Sequence, residues 1–189
     1  DEAKKEVTGP VLLPGCPDCD FKRGEKIFTV DEVAKMCREF NAKFRLSDEM
    51  HIYDGTTEKV IGEAVENYTL KSEETITNIN GETITLPVGT WMATVKVTDD
   101  ETWQKIEDGI YRGFSGTFLS EKDANNLLEN IQSNKCKCIP EAIKSAADKR
   151  TLIADLENPV PVTISIVDRP CVPNAIFTSV KMEQSDKAG

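Results

Sequence analysis

Residues Trp91–Val97 read WMATVKV, and this stretch points to the fold class of the chain. Aromatic and β-branched residues alternate here with polar ones, as they do in Glu66–Leu70, ENYTL, which is the pattern of a half-buried strand. Asn80-Gly81 between the two stretches is a tight-turn signal. The region therefore predicts several antiparallel strands, of which the first includes His51-Ile52-Tyr53.

Helical patterns precede and follow these strands. The first helix has Thr29 or Asp31 as candidate N-cap, and the last has a proline near its first position. Helices are predicted over Val30–Phe40, Asp99–Gly109, Glu121–Ser133 and Pro140–Ala147, and further strands over Tyr111–Leu119, Val160–Val167 and Ala175–Val180. Strands before, between and after helices predict an α+β fold, in which an antiparallel β-sheet or β-barrel core is surrounded by helices.

Length and charge limit the function classes. The chain has 189 residues and no internal repeat or long linker, so a single domain over residues 1–189 is expected. Its net charge is −10, which disfavours binding to nucleic acid and to anionic membranes. No run of about 18 apolar residues is present to span a bilayer, and the opening DEAKKEVTG lacks the apolar stretch of a signal peptide. We expect neither nucleic acid nor a membrane as partner.

Six cysteines are too few for a disulfide scaffold in a chain of this length, which favours a reduced setting with free thiols. Two alternatives stay open. A secreted domain would pair all six in three disulfides, and two short pairs, Cys16/Cys19 and Cys136/Cys138, could hold zinc. The Cys-x-Cys spacing of the second pair is tighter than usual for zinc, so we expect no metal and no cofactor.

His51 is the only histidine in the chain, so a serine activated by an imidazole has one possible base. Ser115 is the distinctive serine, because Gly113 and Gly116 leave space around it for a substrate carbonyl. The opposing interpretation is that this glycine-rich stretch forms a bulge or a close backbone crossing. It is not the G-x-S-x-G elbow of the α/β-hydrolases, since position 111 is tyrosine.

A catalytic histidine is usually oriented by a carboxylate, and two acids are candidates for that third position. Asp168 follows the predicted strand Thr163–Val167, and Glu66 lies in the strand-like run after His51. The opposing interpretation for each is a solvated carboxylate, because the chain contains 33 acidic residues.

Taken together, these segments resemble the prohead protease of tailed phages, a capsid-maturation serine protease whose fold is similar to herpesvirus assemblin. The likeness rests on five segments in order: Gly9–Pro14, Met50-His51 with Val65–Tyr68, Leu86–Val97 with Trp103, Gly109–Gly116, and Ile164–Ala175. The departures are Ile52–Gly55 after the histidine, Cys171 where the family often has alanine, and the lack of the second histidine that assemblins use.

The resemblance implies that His51 is the general base and Ser115 the nucleophile, with Asp168 or Glu66 as third member or a Ser-His dyad. Backbone N–H groups near Gly116, helped by Arg169, would stabilise the oxyanion. It further implies cleavage of the major capsid protein, of scaffold segments and of the protease itself inside the assembling prohead, in the host cytoplasm, by a possible homodimer. The alternative is a catalytically silent capsid-assembly or scaffold-binding protein with a protease-like fold.

Overall fold

The computed structural model describes residues 4–16, 27–52, 60–133, 156 and 158–183. The predicted helix Pro140–Ala147 lies outside these residues. The strands within them are β1 (Lys4–Leu12), β2 (Leu46–Glu49), β3 (Gly62–Thr69), β4 (Glu74–Thr77), β5 (Thr83–Leu86), β6 (Trp91–Val97), β7 (Gly113–Leu119), β8 (Val160–Val167) and β9 (Ser179–Glu183). The helices are α1 (Val30–Lys43), α2 (Asp100–Glu107) and α3 (Glu121–Ser133).

Seven strands form one curled, half-barrel sheet in the order β7-β8-β2-β3-β6-β1-β9, and β4 and β5 form a separate hairpin. The fold is α+β, as predicted, but the sheet is mixed and not wholly antiparallel, because β2 and β8 pair in parallel. More than a hundred residues separate these two strands, which leaves ample chain for the crossover that a parallel pair requires. Likeness to assemblin remains a prediction.

Residues 175–178 link β7 to β1. Phe114 N–H donates to the carbonyl of Ala175 at 3.1 Å, and Phe177 N–H donates to the carbonyl of Arg112 at 2.8 Å. Thr178 N–H then donates to the carbonyl of Thr8 in β1, also at 2.8 Å. β7 is an outer strand of the sheet. The bonds to Arg112 and Phe114 therefore pair backbone groups near the start of β7 that would otherwise be exposed.

The core lies between the sheet and α1, which packs on β3, β6 and β8. Thr29 caps α1 by accepting the N–H of Glu32 at 3.2 Å, which decides between the two predicted caps. Phe40 of α1 meets Trp91 of β6 with ring centroids 5.4 Å apart, and both side chains are fully buried. The WMATVKV stretch is thus a central strand beneath the helix.

Two predicted strands are wrong in their limits. The stretch at His51-Ile52 is a turn, because β2 ends at Glu49 and the next two residues have positive φ; Tyr53 lies outside the described residues. Residues 175–178 form the irregular bridge between β7 and β1, and β9 begins only at Ser179. None of the helices in the described part of the chain is long and apolar enough to cross a membrane.

The cysteines correct part of the prediction. Cys16 and Cys37 are free thiols, which excludes a framework in which all six cysteines pair. Burial raises the pKa of Cys37 to about 11, against a small lowering by nearby Arg38, so this thiol stays protonated and inert at neutral pH. Cys171, expected to be free, is disulfide-bonded. Three of the four cysteines of the zinc hypothesis, Cys19, Cys136 and Cys138, lie outside the described residues.

Candidate active site

His51 is placed by a tight turn in which both central residues have a left-handed backbone. Met50 has φ 50° and His51 has φ 60°, and Ile52 N–H donates to the carbonyl of Glu49 at 3.1 Å. Two positive φ angles are typical of a type I′ turn, which favours Asn-Gly and costs an L-residue with a Cβ about 1–2 kcal/mol. Met50 N–H is held by the carbonyl of Ile166 at 3.0 Å, which anchors the turn to β8. Strain of this kind collects at functional sites.

The ring of His51 meets a cluster of hydroxyl groups on the sheet. Its Nδ1 lies 2.6 Å from Thr117 Oγ1 and 3.0 Å from Ser165 Oγ, and these two hydroxyl oxygens are 3.2 Å apart. Ser165 Oγ in turn donates to Asp48 Oδ1 at 2.5 Å. Ser165 and Asp48 are fully buried, whereas His51 is exposed. A chain of hydrogen bonds therefore runs from a buried carboxylate to an imidazole that solvent can reach.

Sheet register explains why these side chains share one face. Asp48 of β2 pairs with Ser165 of β8, and Ser165 pairs on its other side with Ser115 of β7. Paired residues project from the same face of a sheet, and so does Thr117, two residues after Ser115. The predicted nucleophile thus lies in a polar row that crosses three strands.

Ser115 itself is nearly buried, with 9% of its surface exposed. The hydrogen bonds of His51 to hydroxyls in the described residues go to Thr117 and Ser165, the neighbours of Ser115 on this face. The structure therefore brings the predicted base and nucleophile to the same row without a direct hydrogen bond between them. Catalytic hydrogen bonds are commonly looser in the free enzyme than in the substrate complex.

The glycines around Ser115 have structural causes of their own. A Cβ at Gly113 would collide with the carbonyl oxygen of Ala175 and the ring of Pro170, so this glycine permits a close backbone crossing. A Cβ at Gly116 would meet the Phe118 ring at 2.7 Å, and the register of β7 shifts just before that residue. The close backbone crossing of the opposing interpretation is therefore present at Gly113, and the register shift lies between Thr117 and Phe118.

The two acids proposed as third member are both exposed. Asp168 is exposed in the turn after β8, and its carboxylate accepts the N–H of Arg169 at 2.7 Å. Glu66 is exposed on β3, beyond β2 from the nucleophile strand. Their roles, and those of Gly116 and Arg169 at the oxyanion, remain predictions.

Sequence reasoning missed Asp48, Thr117 and Ser165 as members of the site. One signal was available: β8 is buried along its whole length, yet it carries Thr163 and Ser165 among apolar residues. A buried polar side chain needs a partner, so each such residue marks a polar contact. Ser165 has its partners, whereas Thr163 Oγ1 is a buried hydroxyl that forms no hydrogen bond with the described part of the chain.

A second polar group lies where β2 ends, just before the histidine turn. Glu49 Oε1 accepts hydrogen bonds from Lys105 Nζ of α2, at 2.6 Å, and from the hydroxyl of Tyr111, which precedes β7. We call these three residues the brace. Burial alone would raise the pKa of Glu49, but the hydrogen bonds from Lys105 and Tyr111 outweigh it and the net pKa is lowered. The pKa of Tyr111 is raised, mainly by burial and also by the hydrogen bond that its hydroxyl makes to Glu49.

In the ranges that the structure describes, no group of three or more His, Cys, Asp or Glu side chains is arranged to hold a metal ion. The chemistry that the described arrangement supports is acid–base: one imidazole, several hydroxyls, and a buried carboxylate that fixes the direction of the hydrogen bonds.

Comparison with known proteins adds one finding. Residues 1–123 match the family model described as "Putative phage serine protease XkdF". The match spans more than half of the chain and includes Asp48, His51, Ser115 and Thr117, but ends before Ser165. No curated protein and no solved structure matches the chain.

Proposed function

The chain belongs to this family of phage serine proteases, and on that premise we propose that it is a serine endopeptidase with Ser115 as nucleophile and His51 as general base. The observation that carries the proposal is the position of the only histidine, whose ring contacts one hydroxyl on each strand of the β7–β8 pair that holds Ser115. No other imidazole in the chain could activate a serine.

In the proposed mechanism, Ser115 Oγ attacks a peptide carbonyl while His51 removes its proton. The tetrahedral intermediate collapses to an acyl-enzyme as His51 returns the proton to the leaving amine, and water then repeats the sequence. Gly116 N–H is a candidate oxyanion donor. Backbone groups alternate along a strand, and Phe114 N–H points away from β8 toward Ala175, so Gly116 N–H lies on the same outer edge of β7.

We propose as substrates the major capsid protein, scaffold segments and the termini of the protease itself, cut inside the assembling prohead in the host cytoplasm. A possible homodimer and stabilisation of the oxyanion by Arg169 belong to the same proposal, in which the third position is open between Asp168, Glu66 and the buried Asp48. The net charge of −10 fits protein substrates better than nucleic acid.

Active-site labelling tests the nucleophile without a known substrate. The full chain is treated with a fluorophosphonate, whose phosphorus is attacked by an activated serine oxygen with loss of fluoride, and the phosphonylated peptide is identified by mass spectrometry. We expect label on Ser115 in the wild type and none in Ser115→Ala or His51→Ala. Ser47→Ala is the matched control, because Ser47 is a buried β2 hydroxyl that bonds the carbonyl of Ile164 and does not contact His51.

Cleavage is tested by intact mass. The uncut precursor and added capsid protein should be shortened by the wild type and left whole by Ser115→Ala. A wild type that neither takes the label nor cuts capsid protein would refute the proposal and favour the catalytically silent capsid-binding alternative.

A further inference from the structure

We infer that Asp48 is the positioning residue of the site and acts through Ser165 to hold His51 in the tautomer that can serve as base. This inference rests on the proposed function. It assigns the third position to a carboxylate three residues before the histidine, joined to the ring by the intervening hydroxyl of Ser165.

The direction of each hydrogen bond follows from counting protons. A carboxylate only accepts, so the single hydroxyl proton of Ser165 is committed to Asp48. Ser165 Oγ is then left with lone pairs toward the other two groups of the cluster. The 3.0 Å contact between Ser165 Oγ and His51 Nδ1 is attractive only if Nδ1 carries a proton. The 3.2 Å contact between Ser165 Oγ and Thr117 Oγ1 is attractive only if the Thr117 hydroxyl donates its proton to Ser165.

The same assignment satisfies the remaining contact. Nδ1–H can be shared between Ser165 and Thr117 Oγ1, which lies 2.6 Å away, while the Thr117 proton points to Ser165. With the proton on Nδ1, the lone pair of the neutral ring is on Nε2, the nitrogen that acts as base in serine proteases. Asp48 therefore determines which ring nitrogen can take a proton from the nucleophile.

Burial strengthens this effect. Asp48 and Ser165 are both fully buried, where hydrogen bonds are stronger than in water and an unpaired polar group is costly. Both residues also sit on paired strands, which fixes their separation through backbone register. A site held this way is better defined than one built on a loop such as the turn that carries Asp168.

The tautomer can be measured directly, because the chain has one histidine. Labelling with ¹⁵N-histidine gives a single ring whose two nitrogen shifts report which nitrogen is protonated. We expect the Nδ1–H form in the wild type and in Ser47→Ala. In Asp48→Asn the new amide N–H can donate to Ser165 Oγ and turn the Ser165 proton toward Nδ1, so we expect a shift toward the Nε2–H form. We expect the same shift in Ser165→Ala, which removes the hydroxyl. Ser165→Thr keeps the hydroxyl and should keep the wild-type Nδ1–H form.

The rate of fluorophosphonate labelling at Ser115 is the second readout. It should fall by about 10²–10⁴-fold in Asp48→Asn, as expected when a catalytic histidine loses its orienting carboxylate, and by a similar factor in Ser165→Ala. Their double variant should lose little more, because the two residues act as one unit.

The outcomes separate this inference from the proposed function. The inference is overturned if Asp48→Asn leaves both the His51 tautomer and the labelling rate unchanged. It is also overturned if the labelling rate falls only in Asp168→Asn. In both cases label on Ser115 still supports the proposed function. Label on Ser165 also overturns it, since Ser165 would then be the nucleophile. If the wild type takes no label, the proposed function fails, and a tautomer that still depends on Asp48 supports the positioning contact on its own.

Discussion

Replacing Tyr111 by phenylalanine removes one hydroxyl from the brace and leaves the ring in place. Tyr111 is 6% exposed, and its hydroxyl donates to Glu49 beside Lys105 Nζ. A hydrogen bond to a charged group contributes about 1.5–3 kcal/mol. Glu49 keeps its ion pair with Lys105 in the variant, and its side chain is 20% exposed, so water replaces part of the bond. We expect a loss of about 1–1.5 kcal/mol in the free energy of unfolding at pH 7.

Urea unfolding measures this loss, with the fluorescence of the buried Trp91 and Trp103 as signal. The pKa of Glu49 is lowered in the folded state from its ordinary value of 4.5, so the contribution of its ionised form is complete above that value. It disappears as the pH falls through the lowered folded-state pKa. The difference between wild type and Tyr111→Phe should therefore narrow between pH 7 and about pH 3.

Tyr68→Phe is the matched control, because Tyr68 is 45% exposed and lies outside the brace. We expect it to change stability by less than about 0.5 kcal/mol. Equal losses in the two variants, or a Tyr111→Phe difference that is the same at both pH values, would refute the reasoning, since neither fits a hydrogen bond to an ionised carboxylate.

Two further predictions concern the backbone of the site. Gly113→Ala should lower the free energy of unfolding by about 2 kcal/mol or more, because the carbonyl of Ala175 and the ring of Pro170 occupy the space of the new methyl group; a thermal unfolding midpoint equal to that of wild type would contradict this. Met50→Gly should raise the free energy of unfolding by about 0.5–1 kcal/mol, since φ 50° strains any residue with a Cβ. A variant that chemical denaturation shows to be less stable than the wild type would argue against strain in the histidine turn.

Local features were predictable from the sequence. The three described helices lie where apolar periodicity placed them, and Thr29 caps α1 as one of two candidates. Asp99 caps α2, whose end is followed by Gly109 at φ 72°, and Asn80-Gly81 lies at the turn of the β4–β5 hairpin. Each of these signals involves residues within one or two turns of each other, so the sequence displays them side by side.

The arrangement of the site was less predictable because it depends on distant pairing. His51 and Ser115 were singled out by residue type, one as the sole histidine and the other by its glycines. Asp48 and Ser165 are 117 residues apart and meet only because β2 and β8 pair in parallel. An antiparallel sheet was expected, and such an expectation gives no reason to align these two strands.

The position of β8 in the sheet also determines at which stage of synthesis the candidate site can form. It lies between β2, which leads to His51, and β7, which carries Ser115, although it follows both in the chain. A ribosome-bound chain that has emerged only as far as β7 therefore lacks the strand that lies between His51 and Ser115, and its Asp48 has no Ser165 to contact. Pairing so distant in sequence is slow to form. The proposed hydrolytic activity therefore requires β8, and we expect it to appear only after residues 160–167 have been made and have paired with β2 and β7.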